Sequence, residues 1–224
     1  MIRTTAARKG VTFMTVALAM LAVAATAGAQ DREDRWELGL GVLYQFGSTI
    51  DARGGSSIDT GGGLGFVIDS GYNFTDHVAV NFGMSWAGID YDADVVDDQG
   101  EQSRIRGSFD SYRLFGNALY YFGDGALAPY VGAGLGWTFI DTNIPNGPPI
   151  TGCWWDPWYG YVCWTTYPTK TTDAFSYQAT LGLRYEFSYS TYMRFSYTSQ
   201  WVDLSDASGT PRFDVLDLEL GWMF

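Results

Sequence analysis

Residues 36–46 read WELGLGVLYQF, a stretch in which large apolar residues alternate with small or polar ones. Because successive side chains of a β-strand point to opposite faces, this alternation predicts a strand with one apolar face. Trp36, Leu40 and Phe46 lie on that face, and Glu37 and Gln45 lie on the other. The fold depends on how often the pattern recurs and on which face meets water.

The period of two recurs seven more times along the chain. The predicted strands cover residues 36–46, 64–74, 78–89, 112–122, 129–139, 175–187, 193–201 and 215–224. The fourth is the least regular, because Phe115, Leu119 and Tyr121 fall on its polar face. After the N-terminal segment, no stretch reaches the roughly 18 consecutive apolar residues of a membrane helix. The sequence therefore predicts an all-β protein that can enter a membrane through strands alone.

Eight alternating strands fit two architectures that differ in the buried face. A soluble sandwich or lipocalin-like barrel buries the apolar face, whereas a transmembrane barrel turns that face to lipid. Strands of about 11 residues, tilted by about 45°, span roughly the 25 Å of a lipid-facing band. Aromatic residues such as Trp36 and Phe224 lie at strand ends, as at membrane interfaces.

The connections alternate between long and short. The long ones cover residues 47–62, 91–107, 142–172 and 203–211, and the short ones cover 75–77, 123–128 and 188–190. This alternation is typical of outer-membrane barrels. We therefore predict an eight-stranded antiparallel up-and-down transmembrane β-barrel with short periplasmic turns and long extracellular loops.

The N-terminal segment has the order of a secretory signal peptide. Three basic residues precede an apolar run over residues 11–25, and the small residues AGA follow at 27–29. We expect cleavage of residues 1–29, which leaves a barrel domain over residues 30–224. An uncleaved membrane anchor is the alternative, but the apolar run is short for a span.

Net charge restricts the partners. The mature chain would keep 10 of the 13 basic residues and all 25 acidic residues, a net charge of about −15. This charge argues against nucleic acid as a partner.

Two segments resemble a known group. PYVGAGLGW at residues 129–137 is similar to a strand phrase of the small bacterial outer-membrane barrels, the group of outer membrane protein W and the transmembrane domain of outer membrane protein A. The ending LELGWMF resembles that group's sorting signal, here carried by Leu220, Trp222 and Phe224. The resemblance implies a monomer in the outer membrane that contacts lipid and lipopolysaccharide and is recognised by the barrel-assembly machinery. Phe224 is alternatively a lipid-facing strand residue, and the two interpretations are compatible.

Eight strands enclose a lumen wide enough for side chains or one small ligand. The charged residues predicted to point into it are Glu37, Asp69, Arg113, Arg184, Glu186, Arg194, Asp217 and Glu219. Because an unpaired buried charge costs several kcal/mol, these groups are expected to pair, mostly near the periplasmic end. One interpretation is a structural plug. The other is a narrow, porin-like path for small or hydrophobic solutes, which the inward glycines favour by leaving space.

His77 is the only histidine and the sole candidate for the general base of a lipid-modifying or proteolytic barrel. It follows a predicted periplasmic turn, far from the outer leaflet, and has no nucleophile pattern nearby. We expect no enzymatic activity, no metal and no cofactor. A structural or surface-interaction role, in adhesion or envelope integrity, is the predicted function, with the conduit as the alternative.

The predicted loop over residues 90–101 reads DYDADVVDDQGE. Asp90, Asp92, Asp94 and Glu101 have the spacing of positions 1, 3, 5 and 12 of a calcium loop. Val95 stands where such a loop needs glycine, so a solvated acidic loop is expected instead. Carboxylates that share divalent ions with lipopolysaccharide phosphates are an alternative.

The connection over residues 142–172 contains CWWDPWYGYVCW at 153–164, with both cysteines and four of the nine tryptophans. Export favours a bridge between Cys153 and Cys163, and the turn residues between them predict a small hairpin. The candidates for binding an extracellular ligand are Trp154, Trp155, Trp158, Tyr159, Tyr161 and Trp164. The alternatives are that these rings pack on each other or rest at lipid headgroups.

Overall fold

The computed structural model describes residues 31–51, 57–96, 102–145, 147–204, 207 and 209–224. The segment predicted as a signal peptide lies outside the described residues. The strands are β1 (Arg35–Gln45), β2 (Thr49–Asp51), β3 (Ser57–Thr60), β4 (Gly63–Asn73), β5 (Val78–Val96), β6 (Gln102–Tyr121), β7 (Leu127–Pro145), β8 (Ile150–Asp156), β9 (Gly160–Thr166), β10 (Thr169–Ser188), β11 (Thr191–Val202) and β12 (Arg212–Met223). Within the described ranges, no helix is long and apolar enough to span a membrane.

Eight of these strands close into an antiparallel barrel. Neighbouring pairs follow the order β1, β4, β5, β6, β7, β10, β11 and β12, and β12 pairs back onto β1. At this seam the backbone N–H of Trp36 donates to the carbonyl of Phe224 at 3.0 Å, and the Phe224 N–H donates to the Trp36 carbonyl at 2.9 Å. The predicted eight-stranded antiparallel barrel is therefore confirmed.

The large apolar side chains of the barrel strands face outwards. Leu40, Phe82 and Leu135, on three of these strands, are 54%, 68% and 60% exposed. A soluble protein does not leave such a continuous band in water. The apolar row predicted from the sequence is therefore the outer face of the barrel.

Aromatic side chains form a belt at each end of this outer band. The belt at the short-turn end includes Trp36, Tyr72, Phe74, Tyr120, Phe122, Tyr185 and Phe187, and the belt at the long-loop end includes Tyr44, Phe46, Phe66, Trp86, Trp137, Phe175, Tyr177 and Trp201. From Trp36 to Phe46 the chain rises about 33 Å along the strand, or about 25 Å along the axis at a tilt of about 40°. The two belts are thus separated by the apolar thickness of an outer membrane.

Several strands extend past the upper belt into regions predicted as loops. β5 reaches Val96 and β6 starts at Gln102, although residues 91–107 were expected to form a loop. The region 47–62 also contains β2 and β3, and β3 pairs with β5. The prediction was wrong here because residues above the lipid band are charged on their outer face, which hides the apolar alternation. Cross-strand ion pairs hold the extension instead, as between Asp92 and Arg106 at 2.8 Å.

Inward side chains fill the barrel with apolar clusters towards both ends. The cluster towards the long loops contains Leu43, Val67, Ala87, Ile89, Phe109, Phe115 and Val215, with Ala174, Val202 and Phe213 beside it. The cluster near the short turns contains Ala79, Leu119, Tyr121, Ala128 and Tyr130. Phe115, Leu119 and Tyr121, which blurred the pattern of the fourth predicted strand, all face the lumen. Charged residues fill the lumen beside the cluster near the short turns, where Arg184 Nη1 donates to the hydroxyl of Tyr121 at 3.2 Å.

Candidate functional site

Arg194 on β11 is the centre of a buried ion-pair network in the lumen. Its guanidinium pairs with Asp69 on β4, with Glu219 on β12 at 2.5 Å and with Glu37 on β1 at 3.5 Å. Register explains part of this arrangement, because Arg194 lies directly opposite Glu219 in the β11–β12 ladder. Every one of these side chains is almost completely buried. The network therefore joins strands on both sides of the β1–β12 seam.

Arg184 on β10 extends the network towards the short turns. Its Nη1 donates to Glu37 Oε2 at 2.7 Å, and its Nε lies 2.9 Å from Glu186 Oε1. The face of its guanidinium stacks over the ring of Tyr192, with 3.9 Å between the guanidinium carbon and the ring centroid. Stacking and ion pairing of this kind are favourable for the guanidinium of a buried arginine, which is planar, delocalised and weakly hydrated.

Arg32, which was not among the predicted site residues, closes the network at the short-turn end. Its fully buried guanidinium pairs with Glu186 at 2.5 Å and donates to the carbonyls of Asp76, Gly123 and Gly125. Its backbone N–H donates to the Asp76 carboxylate at 2.8 Å. The segment before β1 is thereby fixed to two of the short turns. Five of the eight predicted lumen charges are acidic and three are basic, and this imbalance was the available sign of a further cation.

Arg113 and Asp217 lie apart from this network. Arg113 donates to the side-chain carbonyls of Gln178 and Gln200, at 3.2 and 2.9 Å, and Asp217 accepts from the hydroxyl of Ser196 at 3.2 Å. Their own guanidinium and carboxylate form no direct ion pair. The structure thus brings six of the eight predicted lumen charges into one network and leaves these two outside it.

Cavities of about 30 and 10 Å³ flank Arg113 in the lumen. The larger is lined by three buried atoms without a protein partner, the Nε of Arg113 and the side-chain oxygens Oδ1 of Asn81 and Asp217. One donor and two acceptors match the hydrogen bonds of a water molecule, and the volume holds about one or two waters. The cavity therefore suits water and not an apolar solute.

The inward glycines do not leave open space. A Cβ added at Gly39 would meet the carboxylate of Asp69, and one added at Gly221 would meet the ring of Tyr192. At Gly71 the added atom would lie 2.9 Å from the Glu37 side chain. The glycines accommodate the large side chains of neighbouring strands. The inference that they favour a solute path is therefore wrong.

The extracellular candidate residues form an exposed two-stranded hairpin, β8–β9, which is a sheet separate from the barrel. The disulfide between Cys153 and Cys163 joins directly opposite positions of the two strands. Asp156 closes the turn, because its Oδ1 accepts from the backbone N–H groups of Trp158 and Tyr159 at 2.9 and 3.0 Å. Gly160 has a positive φ of 77°, which favours glycine. The predicted disulfide and hairpin are both present.

The six aromatic residues of the hairpin are all exposed to solvent. Trp158 and Tyr159 at the tip are each 85% exposed. Trp155 and Tyr161 are opposite each other on the disulfide face, and Trp154 and Trp164 lie on the reverse face. Within the hairpin, which is described throughout, no stacked or edge-to-face pair forms among these rings. The alternative that they pack on each other is therefore not supported.

The acidic segment 90–94 is strand and not loop. Asp92 pairs with Arg106 and with Arg104, at 2.8 and 3.6 Å, and Asp94 lies 4.0 Å from Arg104. The calcium-loop spacing therefore does not describe this geometry, because an extended strand separates Asp90, Asp92 and Asp94, and the last two pair with arginines. Glu101 lies outside the described residues.

His77 is in the first short turn with both ring nitrogens engaged. Nε2 lies 3.2 Å from Asp124 Oδ1 in the second short turn, and Nδ1 lies 3.1 Å from the carbonyl oxygen of Tyr121. The ring also stacks on Tyr120. These contacts link the two turns.

The last residues lie on the outer face of β12 and just beyond it. Leu220, Trp222 and Phe224 alternate with inward Glu219 and Gly221, and Phe224 is 72% exposed. Their side chains are accessible from the lipid side.

Comparison with known proteins identifies the fold. A family model described as "Outer membrane protein beta-barrel domain" matches residues 15–224. The crystal structure of the outer membrane protein OprG from Pseudomonas aeruginosa is similar, with a TM-score of 0.58 and 12% identity over 87% of this chain and 98% of that chain. Neisserial surface protein A is also similar, with a TM-score of 0.53 and 14% identity over 86% of this chain and 100% of that chain. No curated protein matches the sequence. At these identities the two structures are evidence of the fold alone.

Proposed function

The chain belongs to the outer membrane β-barrel family, and we propose that it serves there as a closed scaffold that presents the β8–β9 hairpin for interactions at the cell surface. Its location in the outer membrane fixes the orientation, because barrels of this type turn their short connections to the periplasm. Residues 142–172 are then extracellular.

The observation that carries the proposal is the contrast between a filled lumen and an exposed hairpin. Apolar clusters lie towards both ends of the lumen, and buried ion pairs fill the space beside the cluster near the short turns. The hairpin, in comparison, exposes six aromatic side chains on a short scaffold that a disulfide and an aspartate turn constrain. Aromatic residues of low side-chain entropy on a preorganised loop are typical of binding surfaces.

A conduit for small or hydrophobic solutes has less support. A solute would have to displace Phe109 and Phe115 at one end and Tyr121 and Tyr130 at the other. It would also have to separate Arg194 from the buried carboxylates of its three partners, which are Glu37, Asp69 and Glu219. Breaking one buried pair costs about 3–5 kcal/mol, so each passage would be slow.

We infer no catalytic role for His77 and no cofactor. Both nitrogens of its ring have protein partners, and by the same orientation it lies on the periplasmic side. Its interactions with Asp124 and Tyr121 support a structural role. We also propose that the protein is exported by residues 1–29, is a monomer, and is assembled through its carboxy-terminal residues.

The test is attachment of cells that carry variants of the hairpin. A deletion of residues 150–166 closed by a short Gly-Ser linker should abolish attachment to host cells or abiotic surfaces as fully as loss of the whole protein. The same assay with a barrel shortened in 203–211 serves as the control. Full attachment without the hairpin, at equal surface abundance, would contradict the proposal.

A further inference from the structure

The hairpin exposes aromatic side chains on both of its faces and at its tip. Trp155 and Tyr161 lie on the disulfide face, and Trp154 and Trp164 lie on the other, where the ring of Trp164 covers Gly152. A partner that docks by one flat surface buries one face and leaves the other in water. Surroundings that enclose the hairpin, such as the headgroup region of a bilayer, bury both faces together with the tip.

The hairpin is also almost free of charge. The segment GPPITGCWWDPWYGYVCWTTYPT, residues 147–169, contains one charged residue, Asp156, in a chain of net charge −12. The Oδ1 atom of that carboxylate is occupied by two backbone N–H groups. Tryptophan and tyrosine favour the headgroup level of bilayers, because the apolar ring enters the acyl boundary while the N–H or O–H stays wet. The same residue types form the two belts of the barrel.

Protein and glycan partners fit this surface less well. Protein interfaces surround their apolar centre with a polar rim, and residues 147–169 offer no charged group for one besides Asp156. Sugar recognition needs side-chain donors and acceptors beside the rings. The hydroxyls of Thr151 and Thr165, opposite each other on the disulfide face, are 3.2 Å apart and are engaged with each other.

The root of the hairpin is raised above the membrane of its own barrel. β10 starts at Thr169, six residues beyond Phe175 of the upper belt, which is about 20 Å of strand. The outer wall on the way carries the carboxylates of Asp141 and Asp173, and Asp173 accepts from the indole of Trp137 at 2.8 Å. A polar wall therefore separates the lipid band of the barrel from the hairpin.

We propose that the hairpin is a docking wedge for a second membrane, and that it seats Trp158, Tyr159 and the flanking rings at the headgroup level of a zwitterionic bilayer facing the cell. This inference rests on the proposed surface function and names its partner. The disulfide and the Asp156 turn hold the rings in place before contact, which reduces the entropy lost on docking. Because the only charge of the wedge is that of Asp156 and the chain as a whole is acidic, docking should not require anionic lipid and should weaken where anionic lipid is present.

The test uses the full mature chain in phosphatidylcholine nanodiscs and separate vesicles whose phosphatidylcholine carries brominated acyl chains. Bromine quenches tryptophan at close range, so quenching reports contact of hairpin tryptophans with the target vesicle and not with the nanodisc. Flotation of nanodiscs with the vesicles measures binding. Brominating the nanodisc lipid instead tests whether the hairpin folds back onto its own membrane.

We expect vesicle binding with quenching that changes less than twofold between 50 and 500 mM NaCl and weakens when half of the lipid is phosphatidylglycerol. The double variant Trp158→Ser with Tyr159→Ser should bind roughly tenfold or more weakly, equivalent to two lost interfacial anchors. The matched variant Trp158→Phe with Tyr159→Phe should retain binding within a few fold. Trp86→Phe in the upper belt should bind as the parent does.

Three results would overturn the inference. They are absent binding to phosphatidylcholine vesicles, binding that the serine variant retains, and hairpin quenching from the nanodisc lipid alone. If one of these three results is found while cells lacking the hairpin fail to attach, the proposed surface function stands and the partner is a glycan or a protein. Attachment to cells stripped of glycans, or treated with protease, then distinguishes the two. If hairpin deletion leaves attachment intact, the proposed function itself fails.

Discussion

The carboxylate of Glu37 on β1 accepts a hydrogen bond from the guanidinium of Arg184 on β10, 2.7 Å away in the lumen. Strands β1 and β10 are not neighbours, so the pair joins the first barrel strand to the last part of the chain across the interior. Both side chains are buried, and Glu37 also lies 3.5 Å from Arg194 on β11. The ion pair stabilises the closure of the barrel from within the lumen, and the backbone hydrogen bonds between β1 and β12 stabilise it in the sheet.

Replacing Glu37 tests this arrangement. Glu37→Gln should lower the free energy of unfolding by about 3 kcal/mol, because Arg184 and Arg194 each lose a buried partner. Urea unfolding from lipid vesicles, followed by tryptophan fluorescence, measures the change. In a double-mutant cycle, Arg184→Met should restore part of the loss, with a coupling of at least about 1 kcal/mol. Additive effects would show that the two side chains do not interact.

Arg32 is predicted to fasten the segment before β1 to the periplasmic turns. Arg32→Met should cost about 2–4 kcal/mol, because Glu186 loses a buried cation and three carbonyls lose a donor. Proteolysis in the turn around Gly123 should become faster. The neighbouring exposed Glu33 supplies the control, since Glu33→Gln should change stability by less than about 0.5 kcal/mol. Equal stability of the two variants would contradict the assignment.

The lumen glycines are predicted to be packing positions. Gly39→Ala should destabilise the barrel by about 1–3 kcal/mol, because the added methyl meets the carboxylate of Asp69. An added Cβ at Gly209 has no heavy atom within 4 Å, so Gly209→Ala is the matched control and should be nearly neutral. Thermal unfolding in detergent compares them. A neutral Gly39→Ala variant would mean that the lumen has spare volume.

Replacing Phe224 tests the assembly of the protein into the membrane separately from the stability of the folded barrel. Phe224→Ala keeps both backbone hydrogen bonds to Trp36 and removes only an outward side chain. We expect several-fold less protein in the outer membrane, with an unfolding free energy within about 1 kcal/mol of the parent. Quantitative blotting of membrane fractions and refolding from urea provide the two values. Equal losses in both would remove the sorting role.

The barrel was predictable because membrane strands follow a simple rule. Between Trp36 and Phe46 the wall has lipid on one side and a packed lumen on the other, so apolar residues alternate with small or polar ones at every inward position except Leu43. Above the belts both faces meet water or protein, and residues 91–107 contain strand that no period of two reveals. Their pairing depends on cross-strand contacts such as Asp92 with Arg106, which a local pattern does not show.

The charged lumen was predictable in its members and less so in its partners. The alternation of side chains along each strand identified Glu37, Arg184 and Arg194 as inward residues. Which carboxylate pairs with which guanidinium depends on strand stagger and side-chain length. Arg32 was missed because it precedes β1, and outside a strand the alternation of side chains does not predict which way a residue points. The hairpin was predictable from the cysteine spacing and the turn residues. The exposure of its rings on both faces was not, because it depends on the pairing of β8 with β9 and on the distance of the hairpin from the barrel.

The central claim is that the lumen is closed and that function lies outside it. Single-channel recording of the purified full chain in planar bilayers tests this most directly. We predict no discrete conductance steps in 1 M KCl at neutral pH, because buried ion pairs and apolar clusters occupy the lumen. Stable, reproducible steps from the folded parent protein would contradict the account and favour a conduit.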